Sequence, residues 1–561
     1  MSSIDPEAVP DTLDGADLAQ IQALLFRGWA RKFRWSSFLF VEVPDDPDAA
    51  RAWLRDVRGD IAWAGGPGPE QLAVAGGQVP GRLQVAFTTK GLRKLGLDPQ
   101  IVQRFPFEAK AGMERRARVL GDPVDDQRAA DDLESLEQFE TNKPTPTDWK
   151  DQTRGGIDLS ACDAMLLLYA TTRKDRQAID LAQRALIKRF RGRPMASELS
   201  SRWLEREPFG FADGVSQPAI KGQPDATTVP PSVNNTIAAG ELLLGYRNEY
   251  GQVPKSPQFD VGHPKHGGFD VGKNGTFLVF RKLEQDVIGF WRTFAKLGKR
   301  FAGQRVAEGH SVPTDPAAAA HWLAARAMGR WTNGNSTMSC PFAPGEQRLP
   351  PEQINAFTYG ADPHGLACPI GSHVRRANPR DQRGGPESES WKVVRRHRIL
   401  RRGRAYGRLF DPDQLLRKLL AEDTITDDAI AAHAAIASEP EAGDEASAEA
   451  GDDDQTRSGL LFVCLQASIT HGFEFVQQIW NNNPGFHGVF QEPDLVAGPG
   501  GSRFSIPAEP VRLRLDNPSP VPAAPDQDED ERLGMPRFVI PRGGGYFFVP
   551  SRATIDLLVD G

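Results

Sequence analysis

The sequence predicts an α+β fold, and two observations carry that expectation. Apolar strand candidates and amphipathic helix candidates alternate through the first half in the order strand, helix, strand, then strand, helix, strand. That is the element order of a ferredoxin-like unit. The second half repeats a similar succession with longer insertions. No short-period repeat accompanies it, so a duplication rests on element order and not on self-similarity.

Taken in order, the chain opens with helical spacing over Asp17–Arg27, followed by a β-rich run, Phe38–Val43. Asp46 before Pro47 reads as an N-cap with proline at the first helical position, starting a helix to about Asp56. Leu83–Thr88 alternates like a strand, Met165–Tyr169 reads as a buried strand, and Asp175–Phe190 has helical spacing. In the second half Thr276–Arg281 is a strand candidate, Leu283–Leu297 and Ala317–Met328 are helix candidates, and Leu460–Gln466 is a strongly apolar strand. Phe473–Trp480 has helical spacing, and Tyr546–Val549 supplies a late strand after Gly543–Gly545. Glu439–Asp454, rich in Glu, Asp, Ala and Gly, cannot bury enough apolar surface to offset its ordering entropy, which predicts a flexible acidic insertion over about residues 425–457. Val496–Pro536, dense in Pro and Gly, reads as surface coil.

At 561 residues the chain has room for two domains, and its 39% hydrophobic and 25% charged residues suit a globular protein. A formal net charge of -7 gives no global attraction to nucleic acid or anionic membrane. Four scattered cysteines, Cys162, Cys340, Cys368 and Cys464, are too few to staple such a chain, which favours a reducing compartment. No Cys-x-x-Cys pair is present, so a zinc knuckle is not expected. The first 26 residues lack Lys and Arg, and no apolar run approaches the ~18 residues of a membrane span. Together these predict a cytoplasmic protein.

Three segments carry chemistry. Gly210-Phe211-Ala212-Asp213-Gly214, continuing Val215-Ser216-Gln217-Pro218, places an acid between two glycines, where backbone can approach a ligand closely. An ordinary turn with Asp213 bonded to its own backbone has the same residues. Cys368–Arg380 contains His373 followed by Arg375, Arg376 and Arg380; a neutral imidazole can ligate a metal, though taken alone a histidine among arginines is more often a surface or hydrogen-bonded group. Val393–Gly407 alternates around Ile399 and Leu400, as a strand with one buried face and cations on the other. Those cations read as a solvated face, or as an anion or RNA contact.

The three segments in this order, with Gly275–Val287, Gly459–Ser468, Gly543–Ser551, Asp17–Gly28 and Gly112–Met113 beside them, resemble the dye-decolourising (DyP-type) peroxidase family. The resemblance covers nearly the whole chain except the acidic insertion and parts of the late loop region. It implies two ferredoxin-like halves of the dimeric α+β barrel type, divided as residues 1–225, which carry the Asp213 motif, and 226–561, which bind most of the haem. It also implies one non-covalent haem b per chain, in keeping with the absence of a Cys-x-x-Cys-His attachment sequence.

By the same resemblance His373 is the iron ligand, Asp213 the distal acid and Arg401 the distal arginine. Arg380 would pair with a haem propionate, Leu460 and Phe462 would wall the distal pocket, and Gly210 and Gly214 would shape the loop beside the cofactor. The implied partners are hydrogen peroxide and small aromatic donors, with no nucleic acid or membrane, and a homo-oligomer is left open. Relatives often supply an acid to the proximal histidine from the end of the apolar strand, where Ser468 stands here. The competing readings are a haem-handling or iron-releasing protein, an RNA- or anion-binding module built on Arg395–Arg404, and thiolate ligation through Cys340-Pro341 or Cys368-Pro369.

Overall fold

The computed structural model describes residues 9–28, 33, 35–66, 71–74, 77–123, 149–151, 155–170, 184, 193–200, 205–223, 235–306, 311–382, 389–421, 457–489, 492–499, 505–506, 513–514 and 535–560. A continuous antiparallel sheet runs through it in the order Arg404–Tyr406, Gly459–Gln466, Thr276–Gln285, Val539–Val549, Gly77–Phe87, Ala164–Ala170, Trp35–Glu42, Arg193–Leu199. Numbered within each half, both sets of four strands follow the order 4-1-3-2, the arrangement of a ferredoxin-like unit. The duplication inferred from element order is therefore present in the topology. The halves join where Val539–Val549 meets Gly77–Phe87, with Phe548 opposite Phe87.

Local chemistry explains the elements. The helix Pro47–Arg58 starts where the Asp46 side chain accepts from the Ala49 N–H, and its buried residues Ala50, Trp53, Leu54 and Val57 recur at helical spacing. They pack on Leu39, Val41, Leu83, Val85, Leu166 and Leu168 from three strands. In the second half the strand runs on to Gln285, and the helix is Val287–Phe301 rather than Leu283–Leu297. The boundary is set by Asp286, whose carboxylate caps the Gly289 N–H. The helix Pro316–Met328 is capped by Asp315 and ends at Gly329, which has φ 90°. These two helices enclose a second core with Phe209 and Phe211 from the loop that bears Asp213.

Other expectations are corrected. Asp17–Arg27 is not one helix but a turn of helix, Gly15–Leu18, and a 3₁₀ turn, Ala23–Leu25. Between them Gln22 is extended, because its side chain bonds the Val85 N–H and C=O and the Pro550 carbonyl. Phe473–Trp480 lies in π-helical turns, Thr470–Glu474 and Val476–Asn481. The basic stretch is not a single strand with a solvated cationic face. It is a helix, Glu389–Arg395, followed by the short strands Leu400–Arg401 and Arg404–Tyr406, with Arg398 and Arg404 buried. Within the predicted late coil, Ser505–Ile506 pairs with Leu513–Arg514. Except for Arg184, the predicted helix Asp175–Phe190 lies outside the described residues, as does Glu439–Asp454. Among the described residues no helix is long and apolar enough to cross a membrane.

Phe548 sits at the junction, its ring 5.3 Å from Phe105 and 5.8 Å from Phe277. Phe548→Ala opens a cavity between the halves and is expected to cost about 3–5 kcal/mol of stability, read as a lower urea midpoint. A midpoint unchanged within error would show that the halves do not depend on this contact.

Candidate functional site

The Asp213 loop is built from both of its flanks. Phe209 stacks on Phe290 at 4.4 Å, Phe211 lies over Trp291 at 6.3 Å, and the Trp291 indole N–H donates to the Phe209 carbonyl at 3.0 Å. Between these anchors Gly210 has φ 97°, and a Cβ there would meet Pro412 at 2.2 Å, so only glycine fits. Gly214 has φ 70°. Asp213 is half-buried, with its N–H on the Glu205 carbonyl at 2.9 Å and its Oδ1 accepting from the Gly214 N–H at 2.6 Å. The short-turn bond open to this motif is therefore made, and the second carboxylate oxygen has no hydrogen-bond partner among the described residues.

Arg401 is tied directly to this loop. Its backbone N–H donates to Gln217 Oε1 at 3.0 Å, and its Nη2 donates to the Ser216 carbonyl at 3.1 Å. The strand register accounts for its side. Arg401 lies opposite Cys464 and Arg404 opposite Leu461, so residues 401 and 403 share one face and 400, 402 and 404 the other. Leu460 and Phe462 fall on the face of Arg401 and are only half-buried, whereas Leu461 and Val463 behind them are fully covered. On the far face Arg402 donates to the Leu24 and Leu25 carbonyls at 2.8 and 2.7 Å, and Arg404 to the Gly28 carbonyl at 3.0 Å.

His373 begins the short helix His373–Ala377, and its Nδ1 lies 2.9 Å from Asp494 Oδ2. Asp494 is fully buried, and its Oδ1 accepts from the Val496 and Ala497 N–H groups, both at 2.8 Å. Burial pushes this carboxyl up, but His373, Arg376 and the backbone donors outweigh it, and it titrates below the usual carboxylate range. An ionised Asp494 can only accept, so Nδ1 carries a proton, and in the neutral imidazole the lone pair is then on Nε2. The acid beside His373 is therefore Asp494, not a residue at the Ser468 end of the apolar strand. Sequence reasoning missed it because it stands 121 positions from His373 in a loop-rich stretch. Arg376 holds the two segments together, donating to the carbonyls of Trp480, Asn483 and Glu492.

A knot of buried cations adjoins the Asp213 loop and Arg401. Arg380 donates to the Asn355 and Phe357 carbonyls at 2.9 and 2.5 Å, and its guanidinium lies 3.9 Å from the centroid of the Phe357 ring. Arg330 donates to Asn355 Oδ1 at 2.6 Å, while the Asn355 amide bonds the Val215 carbonyl of the Asp213 loop. Arg398 donates to Asn235 Oδ1 at 2.9 Å. Burial above all, together with the nearby Arg380 and Arg401 cations, lowers the Arg330 and Arg398 guanidinium groups to about 9. A guanidinium keeps its proton even so, and the repulsion persists until an anion arrives. An imidazole held through Nδ1 and a group of buried, uncompensated cations are of the chemistry that a dianionic cofactor with a metal at its centre requires. Among the cysteines, Cys368 is buried with its sulfur 3.2 Å from Ser372 Oγ, a position suited to packing rather than ligation.

No family model matches the chain. In sequence it is 28% identical over 358 residues to dye-decolorizing peroxidase AauDyP1 of Auricularia auricula-judae, covering 62% of this chain and 55% of that protein. It is 29% identical over 372 residues to the dye-decolorizing peroxidase of Mycena epipterygia, covering 63% and 57%. A bacterial relative, multifunctional dye peroxidase DyP2 of an Amycolatopsis species, is 26% identical over 488 residues, covering 85% and 82%. The chain thus spans a little over half the length of the fungal relatives it matches. In structure it is similar to an ancestral D-type dye decolorizing peroxidase, with TM-score 0.65 and 22% identity over 96% of this chain and 98% of that one. The fungal DyP-type peroxidase from Auricularia auricula-judae gives TM-score 0.65 and 21% identity over 97% and 99%. The chain is thus similar in sequence to dye-decolorizing peroxidases and has their fold.

The cationic knot generates its own prediction. Arg398→Met removes a buried charge from among like charges, so the ligand-free chain should gain about 1 kcal/mol or more in urea denaturation. A clear loss of stability would mean that the Asn235 bond outweighs the repulsion.

Proposed function

We propose that this chain is a haem peroxidase that uses hydrogen peroxide to oxidise phenolic or dye-like donors in one-electron steps. The observation that carries the reading is the His373–Asp494 pair, which fixes the imidazole tautomer and leaves Nε2 for iron. His373 would hold the iron of a non-covalent haem b. The cations around Arg380 would offset its propionates, and Leu460 and Phe462 would flank its distal side. We place the Asp213 motif in residues 1–225 and most of the haem contacts in residues 226–561, one haem per chain. Bound there, haem supplies the redox centre at which the O–O bond of peroxide breaks and single electrons are drawn from the donor.

The chain's own residues supply the rest. Asp213 takes a proton from one peroxide oxygen and returns it to the other, a carboxylate task that needs only hydrogen-bond reach. Arg401 donates to the oxygen that gains negative charge as the bond breaks, and its guanidinium stays protonated throughout. Because Ser216 and Gln217 hold Arg401, acid and arginine keep a fixed relation through the loop they share. The relatives' printed names, which speak of dye decolorization, and one neighbouring structure described as a complex with 2,6-dimethoxyphenol support this donor class.

The test is an absorption spectrum of the haem-reconstituted chain before and after one equivalent of peroxide. A Soret band that shifts at once and returns on adding a phenol is expected. Haem that binds but ignores peroxide would indicate haem handling, and no binding would remove the reading. His373→Ala should abolish stable haem uptake, and Asp494→Asn should weaken it about 10–100-fold. Titration of the haem-free chain with haem measures both, and unchanged affinity in both variants would refute the ligand assignment. Arg401→Leu should slow the reaction with peroxide about 10²–10³-fold, followed by stopped-flow absorbance. Asp213→Asn should slow the same step across the pH range, and a full-speed variant would refute the acid–base role.

A further inference from the structure

The turn that presents Asp213 closes around a second acid, Glu207. Its Oε1 accepts from the Phe211 N–H at 2.8 Å, and its Oε2 accepts from the Phe209 N–H at 3.0 Å and from Gln285 Nε2 at 2.8 Å. The main chain closes the same ring: the Glu207 N–H donates to the Phe211 carbonyl at 3.0 Å and the Gly210 N–H to the Glu207 carbonyl at 2.7 Å. Three donors from two elements thus converge on one carboxylate, six residues before the catalytic acid. Part of the residue reaches the surface, but the carboxylate faces inward.

We propose that Glu207 is the positioning residue for Asp213: its carboxylate bridges the amides on either side of Gly210 and locks the turn that presents the acid. This rests on the reading of Asp213 given above. The chemistry requires an ionised carboxylate. Glutamine would aim an NH₂ group at one of the three donors, and aspartate is one methylene short of spanning both amides. Protonation has a similar effect, since one oxygen then becomes a donor facing a donor. Burial above all, with the Asp213 charge adding to it and the three hydrogen bonds opposing it, raises the Glu207 carboxyl to about 7. Other charges around the loop are Arg206, whose Nη1 lies 3.4 Å from the Gly210 carbonyl, Glu205, paired with Arg348 at 3.5 Å, and Asp413, paired with His321 at 2.8 Å.

The test uses the full chain. Haem-loaded Glu207→Gln should react with peroxide about 10–100-fold more slowly, with haem content and the KM for a phenolic donor near those of the parent. Combined with Asp213→Asn, it should add no further loss. In the haem-free chain, hydrogen exchange at the Phe209 and Phe211 amides should lose protection in Glu207→Gln. In the unaltered haem-free chain, the same protection should fall as pH drops through about 7. A full peroxide rate in Glu207→Gln, or losses that add in the double variant, overturns the proposal. So does protection of both amides that is indifferent to pH, which decides the matter even if Glu207→Gln does not fold. Failure of the peroxidase reading shows separately, as Asp213→Asn without effect on the peroxide step.

Discussion

Two hydrogen bonds from Arg401 to Ser216 and Gln217 bridge positions 184 and 185 residues apart in the chain. Everything else at the candidate site is arranged so that this bridge can exist. The sheet must carry Leu400–Arg401 beside Gly459–Gln466 so that Arg401 projects on the correct face. The helix Val287–Phe301 must seat Phe209 and Phe211 so that the loop arrives at the same place. A slip of one residue in the short strand would put Arg402 where Arg401 stands and turn every side chain over. The far-face bonds of Arg402 and Arg404 to the carbonyls of Leu24, Leu25 and Gly28 resist that slip.

The inward-turned arginines serve two kinds of purpose. Arg376 and Arg402 act as braces, each collecting backbone carbonyls from segments distant in sequence. Arg330, Arg380 and Arg398 are satisfied by carbonyl and amide oxygens, yet remain close enough to repel one another. Neutral acceptors relieve desolvation but leave the charge uncompensated. A site of this kind trades stability in the ligand-free state for affinity toward an anion.

The fold was legible where one local signal decided the outcome. Asp46-Pro47 marked a helix start, and the apolar run Leu460–Gln466 could only be a buried strand. Leu283–Leu297 misled because apolar residues run across the strand–helix boundary, and only the Asp286 cap divides them. Gln22 broke a helical pattern through bonds to residues 63 and 528 positions away, which no local window contains. The basic stretch misled more deeply: alternation and charge both suggested a wet face, but the cations turn inward onto carbonyls. At the site, His373, Asp213 and Arg401 stood in motifs whose order could be matched to a family. Asp494 and Glu207 could not be found that way, since their roles come from backbone donors and partners that only the folded chain assembles.

The strand Val539–Val549 lies between Thr276–Gln285 and Gly77–Phe87, yet it is translated after every other strand of the sheet. Until it arrives, each half presents an open edge of unpaired N–H and C=O groups toward the other. Such edges are where strands from neighbouring chains add, so the nascent protein passes through a sticky interval that closes only with its last strand. Ribosome stalling or truncation before residue 539 would prolong that interval, and its products should be recovered as aggregates rather than as a soluble half.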